Sequence, residues 1–269
     1  MNEIGIAGWV FNRSILNDKT MTLLDLPAAC AAQGVTMIEL VSSFFPEQSA
    51  RYLNQVRAAI QEHGLRVRSI AVDIGNIANA DEATRRTDIE AIKQWFYVAR
   101  AVGSESIRVN SGAADPSDQE AIDRIVAGYS ELAEEAAHTG IYLLLENHGG
   151  ASADPANIQV FLDRVASPWF KACPDTGNFA GDTWEQGMQI MAPHAYSCHI
   201  KVFTYSDDGA QSQTGRNGER RAYDLRRSLQ ILKDAGYNGP LCIEGGASAT
   251  EEASARDAIR YVRKLVAAL

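Results

Sequence analysis

Five glycines set the rhythm of this chain. Gly34, Gly64, Gly103, Gly140 and Gly236 each follow a stretch with helical periodicity and shortly precede an aliphatic run. A helix C-terminus takes a left-handed residue at that place, and glycine adopts the conformation without steric cost. Strands are predicted at Ile4–Ala7, Val35–Leu40, Arg66–Val72, Ser106–Asn110, Ile141–Glu146, Phe170–Pro174, Tyr196–Val202 and Pro240–Glu244. Helices are predicted at Leu23–Gln33, Gln48–His63, Asp81–Val102, Ser117–Thr139, Pro155–Val165, Trp184–Met191, Tyr223–Ala235 and Glu252–Ala267, with Asp154 capping the fifth. Near-continuous apolar strands alternating with helices mean a parallel sheet covered on both faces. Eight such units suit a closed (β/α)8 TIM barrel. A doubly wound open sheet usually carries a glycine-rich fingerprint after its first strand, and Gly5-Ile6-Ala7-Gly8 followed by Trp9 is not one.

With 269 residues and no linker-like break, the chain reads as a single barrel domain, 1–269. The formal net charge of −9 argues against nucleic acid as a partner. Met1-Asn2-Glu3-Ile4 lacks the start of a signal peptide, and no apolar stretch approaches a membrane span, so a cytoplasmic protein without a membrane partner is expected. Cys30, Cys173, Cys198 and Cys242 are scattered without zinc-finger spacing and read as reduced, buried side chains.

Four of the aliphatic runs end in residues that bind metals. Leu143-Leu144-Leu145 runs into Glu146, Asn147 and His148; Lys171–Phe179 carries Asp175; Tyr196–Phe203 carries His199 and Lys201; Leu241–Gly246 carries Glu244. In a barrel these tips lie on consecutive strands at the C-terminal face, where active sites form. Three carboxylates and one imidazole suit one divalent ion, Mn²⁺ first, with Mg²⁺, Co²⁺ or Zn²⁺ also compatible. Alternation along strands points His148 the same way as Glu146 and Lys201 the same way as His199, and sets Cys173 and Cys242 beneath the site.

The stretches Leu145-Glu146-Asn147, Pro174-Asp175-Thr176-Gly177-Asn178-Phe179, His199-Ile200-Lys201 and Ile243-Glu244-Gly245 resemble the sugar phosphate isomerase/epimerase superfamily, with its xylose isomerase-like barrel and its ketose 3-epimerases. The resemblance implies that Glu146, Asp175, His199 and Glu244 hold one divalent metal and that Glu146 and Glu244 also move protons. It implies a homodimer or homotetramer. The family often has Asp-x-x-His after strand six, where this chain has Asn178.

The implied chemistry is proton abstraction beside a ketose carbonyl, because a metal holding the carbonyl and its neighbouring hydroxyl stabilises the enediolate. Two carboxylates on opposite faces invert the carbon, which is epimerisation; one base between adjacent carbons gives aldose–ketose isomerisation. Departure of a β-hydroxyl instead gives a dehydratase acting on a keto-sugar or cyclic ketone, an alternative that His148 and Asn178 favour. A DNA-repair endonuclease on a related barrel is excluded by the charge and by the small number of histidines. The expected small-molecule sugar or keto-sugar has candidate contacts in His148, Asn178, Lys201, Glu39, Asn110, Arg216 and Arg221. Glu39 is equally suited to an ion pair with Arg68 or Arg108. Trp9, Phe11, Phe44 and Phe45 are candidates for an apolar wall. Thr204–Arg221 reads as a polar loop over the site, and Gly245-Gly246-Ala247-Ser248 as a source of backbone N–H groups for an anion.

Overall fold

The structure, a computed structural model, describes residues 3–179, 181–214 and 220–269. Its first seven strands are β1 (Ile4–Ala7), β2 (Met37–Val41), β3 (Arg66–Val72), β4 (Ser106–Val109), β5 (Tyr142–Glu146), β6 (Phe170–Cys173) and β7 (His199–Ile200). A hairpin of β8 (Ala210–Thr214) and β9 (Arg220–Asp224) follows, and β10 (Leu241–Ile243) completes the barrel. The parallel sheet runs β6-β5-β4-β3-β2-β1-β10-β7. Its two ends meet through isolated parallel bridges, Ala172 with Ala195 and Asp175 with His199. Backbone bonds from Tyr196 to Ala172 (2.8 Å), His199 to Pro174 (3.0 Å) and Thr176 to His199 (3.1 Å) hold this nearly closed seam.

Helices α1 (Leu26–Ala31), α2 (Ala50–Glu62), α3 (Glu82–Val102), α4 (Gln119–Thr139), α5 (Pro155–Arg164), α6 (Trp184–Met191), α7 (Leu225–Asp234) and α8 (Glu251–Ala267) form the outer layer. Each buries one stripe. In α2 it is Tyr52, Leu53, Val56 and Ile60, a spacing of one face of a 3.6-residue helix. The strands are covered inside and out, so every residue of β1, β2 and β4 is buried. Asp81, Asp118, Asp154, Asp224 and Thr250 cap helix N-termini through side-chain acceptors. The five punctuating glycines all lie in left-handed backbone, with φ from 65° to 82°.

Three sequence expectations need correction. The loop over the site is an antiparallel hairpin, registered from Ala210–Asp224 to Thr214–Arg220. Tyr223 therefore lies in a strand, and α7 begins at Leu225. The hairpin was hidden because its inward residues, Gln211 and Tyr223, alternate with polar ones and leave no aliphatic pattern. Strand seven is reduced to His199–Ile200, because the chain is leaving the barrel for the hairpin. The cysteines are free and buried as expected. None of the described helices is long and apolar enough to cross a membrane.

One close approach steadies the segment beside the site. Gly187 on α6 lets the buried Phe179 ring rest on the helix backbone, and a Cβ at this position collides with the ring. Gly187→Ala is expected to cost about 1–3 kcal/mol, as overpacking typically does. Urea unfolding checks this; an unchanged midpoint would mean that the ring moves aside freely.

Candidate metal centre and active site

The barrel brings Glu146, Asp175, His199 and Glu244 together as expected. One donor atom from each lies within 4.8 Å of all the others. Glu146, Asp175 and His199 are buried, and Glu244 is 8% exposed. His199 is fixed from two sides. Its Nε2 lies 2.6 Å from Glu39 Oε2, whose other oxygen accepts from the Ser197 hydroxyl at 2.6 Å. A carboxylate only accepts, so Nε2 carries the proton. Nδ1 then faces the carboxylates, 3.0 Å from Glu146, 3.5 Å from Glu244 and 4.0 Å from Asp175; protonated it donates to them, and deprotonated it would offer its lone pair to a cation placed among them. Asn147 positions Asp175 through paired bonds to its backbone, N–H to Asn147 Oδ1 at 2.8 Å and Asn147 Nδ2 to its carbonyl at 2.9 Å.

Two cations, the buried Arg108 and the partly buried Lys201, balance the carboxylates. Arg108 Nε stands 2.9 Å from Glu146 Oε2, and Lys201 Nζ stands 2.6 Å from Asp175 and 2.8 Å from Glu244. Burial alone would raise the Glu146 carboxyl, but Arg108 and His199 hold it well below the usual range. Burial likewise opposes ionisation of Glu244, yet His199 and Lys201 bring it down to about 2. Asp175 goes the other way, to about 7: burial dominates, Lys201 opposes it, and Glu244 and Glu146 add repulsion. Burial would lower Lys201 and His199, but the surrounding acids, Asp175 and Glu244 for Lys201, raise both. A divalent cation here would relieve the carboxylate crowding. The donor set fits such an ion, and Oε2 of Glu146 and of Glu244 are buried without an aligned hydrogen bond.

The profile of the xylose isomerase-like TIM barrel family matches residues 27–265. This chain belongs to that family. Among curated proteins, an L-ribulose-5-phosphate 3-epimerase UlaE of Salmonella paratyphi A is 26% identical over 216 residues, 76% of this chain and 74% of the relative. Among solved structures, an L-ribulose 3-epimerase superposes with TM-score 0.77 at 20% identity, covering 100% of this chain and 96% of the other. A xylose isomerase-like TIM barrel protein from Mycobacterium smegmatis in complex with magnesium gives 0.73 at 16%, covering 99% and 97%. At these identities the two structures speak for the fold.

The xylose isomerase-like barrel opens above the cluster into a cavity of about 270 Å³, lined among others by Trp9, Glu39, Asp73, Arg108, Asn110, His148, His199, Lys201 and Glu244. His148 sits exposed at this wall, in step with Glu146 as alternation implied. Asn110 lines the cavity too, donating to Asp73 at 3.2 Å and accepting from Arg108 at 2.8 Å. Asn178 bridges the cluster, donating to Glu146 at 3.2 Å and accepting from Lys201 at 2.8 Å. Arg221, on the hairpin, reaches Asn178 Oδ1 at 3.4 Å. Arg216 lies outside the described residues.

Glu39 pairs with neither arginine considered for it. Arg108 turns to Glu146 and Asp73, while Arg68 binds Glu105 and lies over the Tyr196 ring. Of the aromatic candidates only Trp9 lines the cavity. Phe44 is buried and stacks on Trp9 at 6.5 Å, Phe11 is fully buried and Phe45 packs on Trp95. The glycine segment after β10 offers no ready anion cradle, since the Ala247 N–H donates to the Tyr205 hydroxyl and Glu251 and Glu252 open α8. Asp73 and Ser197 were missed. Asp73 had the same signature as the named tips, a carboxylate closing the run Ile70-Ala71-Val72. Ser197 had none, because its role is a contact with Glu39 across 158 residues of sequence.

If Glu39 fixes the His199 tautomer, Glu39→Gln should weaken divalent-metal affinity by about 10–100-fold, the usual cost of losing an outer carboxylate. Calorimetric titration of metal-stripped protein measures this, and unchanged affinity would remove Glu39 from the metal centre.

Proposed function

We propose that this protein is a divalent-metal-dependent sugar epimerase, an isomerase that abstracts a proton beside a ketose carbonyl. The observation that carries the reading is the placement of two glutamates, Glu146 and Glu244, in one cluster with Asp175 and His199 beneath a small cavity that His199 and Glu244 line. Relatives named as L-ribulose-5-phosphate 3-epimerases support it. Glu146, Asp175, His199 and Glu244 would hold the ion, with Mn²⁺ as the first choice. When bound, that ion supplies Lewis acidity that makes the C–H next to the carbonyl removable.

The remaining work falls to the chain. Glu146 on β5 and Glu244 at the end of β10 flank the β6–β7 pair, so their carboxylates come from two sides of the site. One takes the proton and the other returns one to the opposite face, which inverts the carbon. Arg108 and Lys201 keep both ionised between turnovers. Asn178 ties the Glu146 and Lys201 side chains together, fixing the direction of the base. A second reading, elimination of a β-substituent, is favoured by His148, an imidazole at the cavity wall placed to protonate a leaving group.

Proton NMR in D₂O separates the two. With Mn²⁺-loaded protein and a panel of ketoses and keto-sugars, deuterium should enter beside the carbonyl as a new epimer appears, and EDTA should abolish exchange. Loss of water or of a substituent would move the assignment to a lyase. Glu244→Gln and Glu146→Gln are each expected to lower the exchange rate by about 10²–10⁴-fold, the usual contribution of a positioned acid–base group. A variant retaining full exchange would show that its glutamate moves no proton.

A further inference from the structure

Resting on the epimerase reading, we propose that the substrate is an unphosphorylated sugar, and that Asp73 reads its distal hydroxyls and turns away phosphate esters. The topology gives the direction. The four clustered residues come from the ends of β5, β6, β7 and β10, so the reacting end of a substrate lies on that side. Its other end falls against the tips of β1 to β4, where Trp9, Asp73 and Asn110 line the cavity. The cavity, about 270 Å³, lies just below the usual range of ligand pockets, which starts at about 300 Å³, and suits nothing larger than a single sugar unit.

The chemistry of that wall is the chemistry of hydroxyl recognition. Both hydrogen bonds to the Asp73 carboxylate, from Arg108 at 2.5 Å and Asn110 at 3.2 Å, fall on Oδ1. Oδ2 keeps its acceptor capacity, and the side chain is 32% exposed. A carboxylate with a free oxygen accepts from sugar O–H groups and repels a phosphate dianion. The 40%-exposed Trp9 offers a flat apolar face for sugar C–H groups, backed by the stacked Phe44.

A phosphate would also need donors that this wall does not offer. Among the described residues lining the cavity, the lysine and arginine cations are Arg108 and Lys201, and both are engaged by carboxylates. The helix that begins after β10 is capped by Thr250 and opens with two glutamates. Glu39 and Glu244 add negative charge to the same cavity. Asp73 is the group whose charge a distal phosphate would meet at the β3 tip.

The test compares matched pairs, ribulose with ribulose 5-phosphate and fructose with fructose 6-phosphate, by NMR-detected exchange with Mn²⁺-loaded protein. The free sugar of at least one pair should show kcat/KM at least about tenfold above its ester. Asp73→Asn keeps an acceptor oxygen but removes the charge. It should raise KM for the free sugar with little change in kcat, and shrink the preference over the ester. A wild-type preference for the esters, or an unchanged ratio in Asp73→Asn, would overturn this inference and leave the epimerase reading standing. Absence of exchange with every sugar and ester would overturn the epimerase reading itself, and this inference with it.

Discussion

The site depends on an imidazole held from both ends. His199 sits between Glu39, which takes its Nε2 proton, and Glu146, which stands against Nδ1. That one ring connects β2, β5 and β7, and through Ser197 the Glu39 carboxylate is tied back to the approach to β7. A histidine free to rotate would offer either nitrogen to the carboxylates. A histidine clamped in this way offers one, in a fixed direction, which is what a ligand set converging on a point requires. Burial makes the clamp effective, since water does not compete for either nitrogen.

Around this ring the charges are arranged by strand. Acids from β2, β5, the β6 tip and β10 meet cations from β4 and the β7 tip, so each carboxylate has a partner contributed by another strand. Four acids buried together without Arg108 and Lys201 would take up protons or unfold the barrel end. The imbalance that remains is concentrated on Asp175, whose carboxyl burial pushes up to about 7. The arrangement is therefore stable as a folded protein while still favouring an added positive charge at its centre.

Much of this was legible in the sequence, and the reason is strand periodicity. Once Leu143-Leu144-Leu145 is a buried strand, Glu146 must stand at its tip, and the rule of two places His148 above it. Asp175, His199 and Glu244 follow in the same way. Partner choice was not legible. Of the partners considered for Glu39, the two arginines are replaced by Ser197 and His199, because Arg108 on β4 lies beside Glu146 on the adjacent β5, while Glu39 still lines the cavity. The hairpin escaped because Ala210–Thr214 and Arg220–Asp224 pair through backbone bonds with almost no aliphatic side chains to announce them. Arg221 consequently belongs to a strand that reaches the site from above, a placement no linear pattern contains.

The barrel's least continuous joint is also where its chemistry is concentrated. Seven strand pairings form ladders, but among the described residues the β6 and β7 segments meet through isolated bridges alone, one of which is Asp175 with His199. Any ion gripped by those two residues therefore acts as a rivet across the slit in the cylinder. By mass action, whatever binds the closed form and not the opened one deepens the free-energy well of closure. On the proposed metal-dependent reading, loading the site and sealing the cylinder would be one thermodynamic event, and the strength of the fold at this seam would be set in part by the concentration of a dissolved cation.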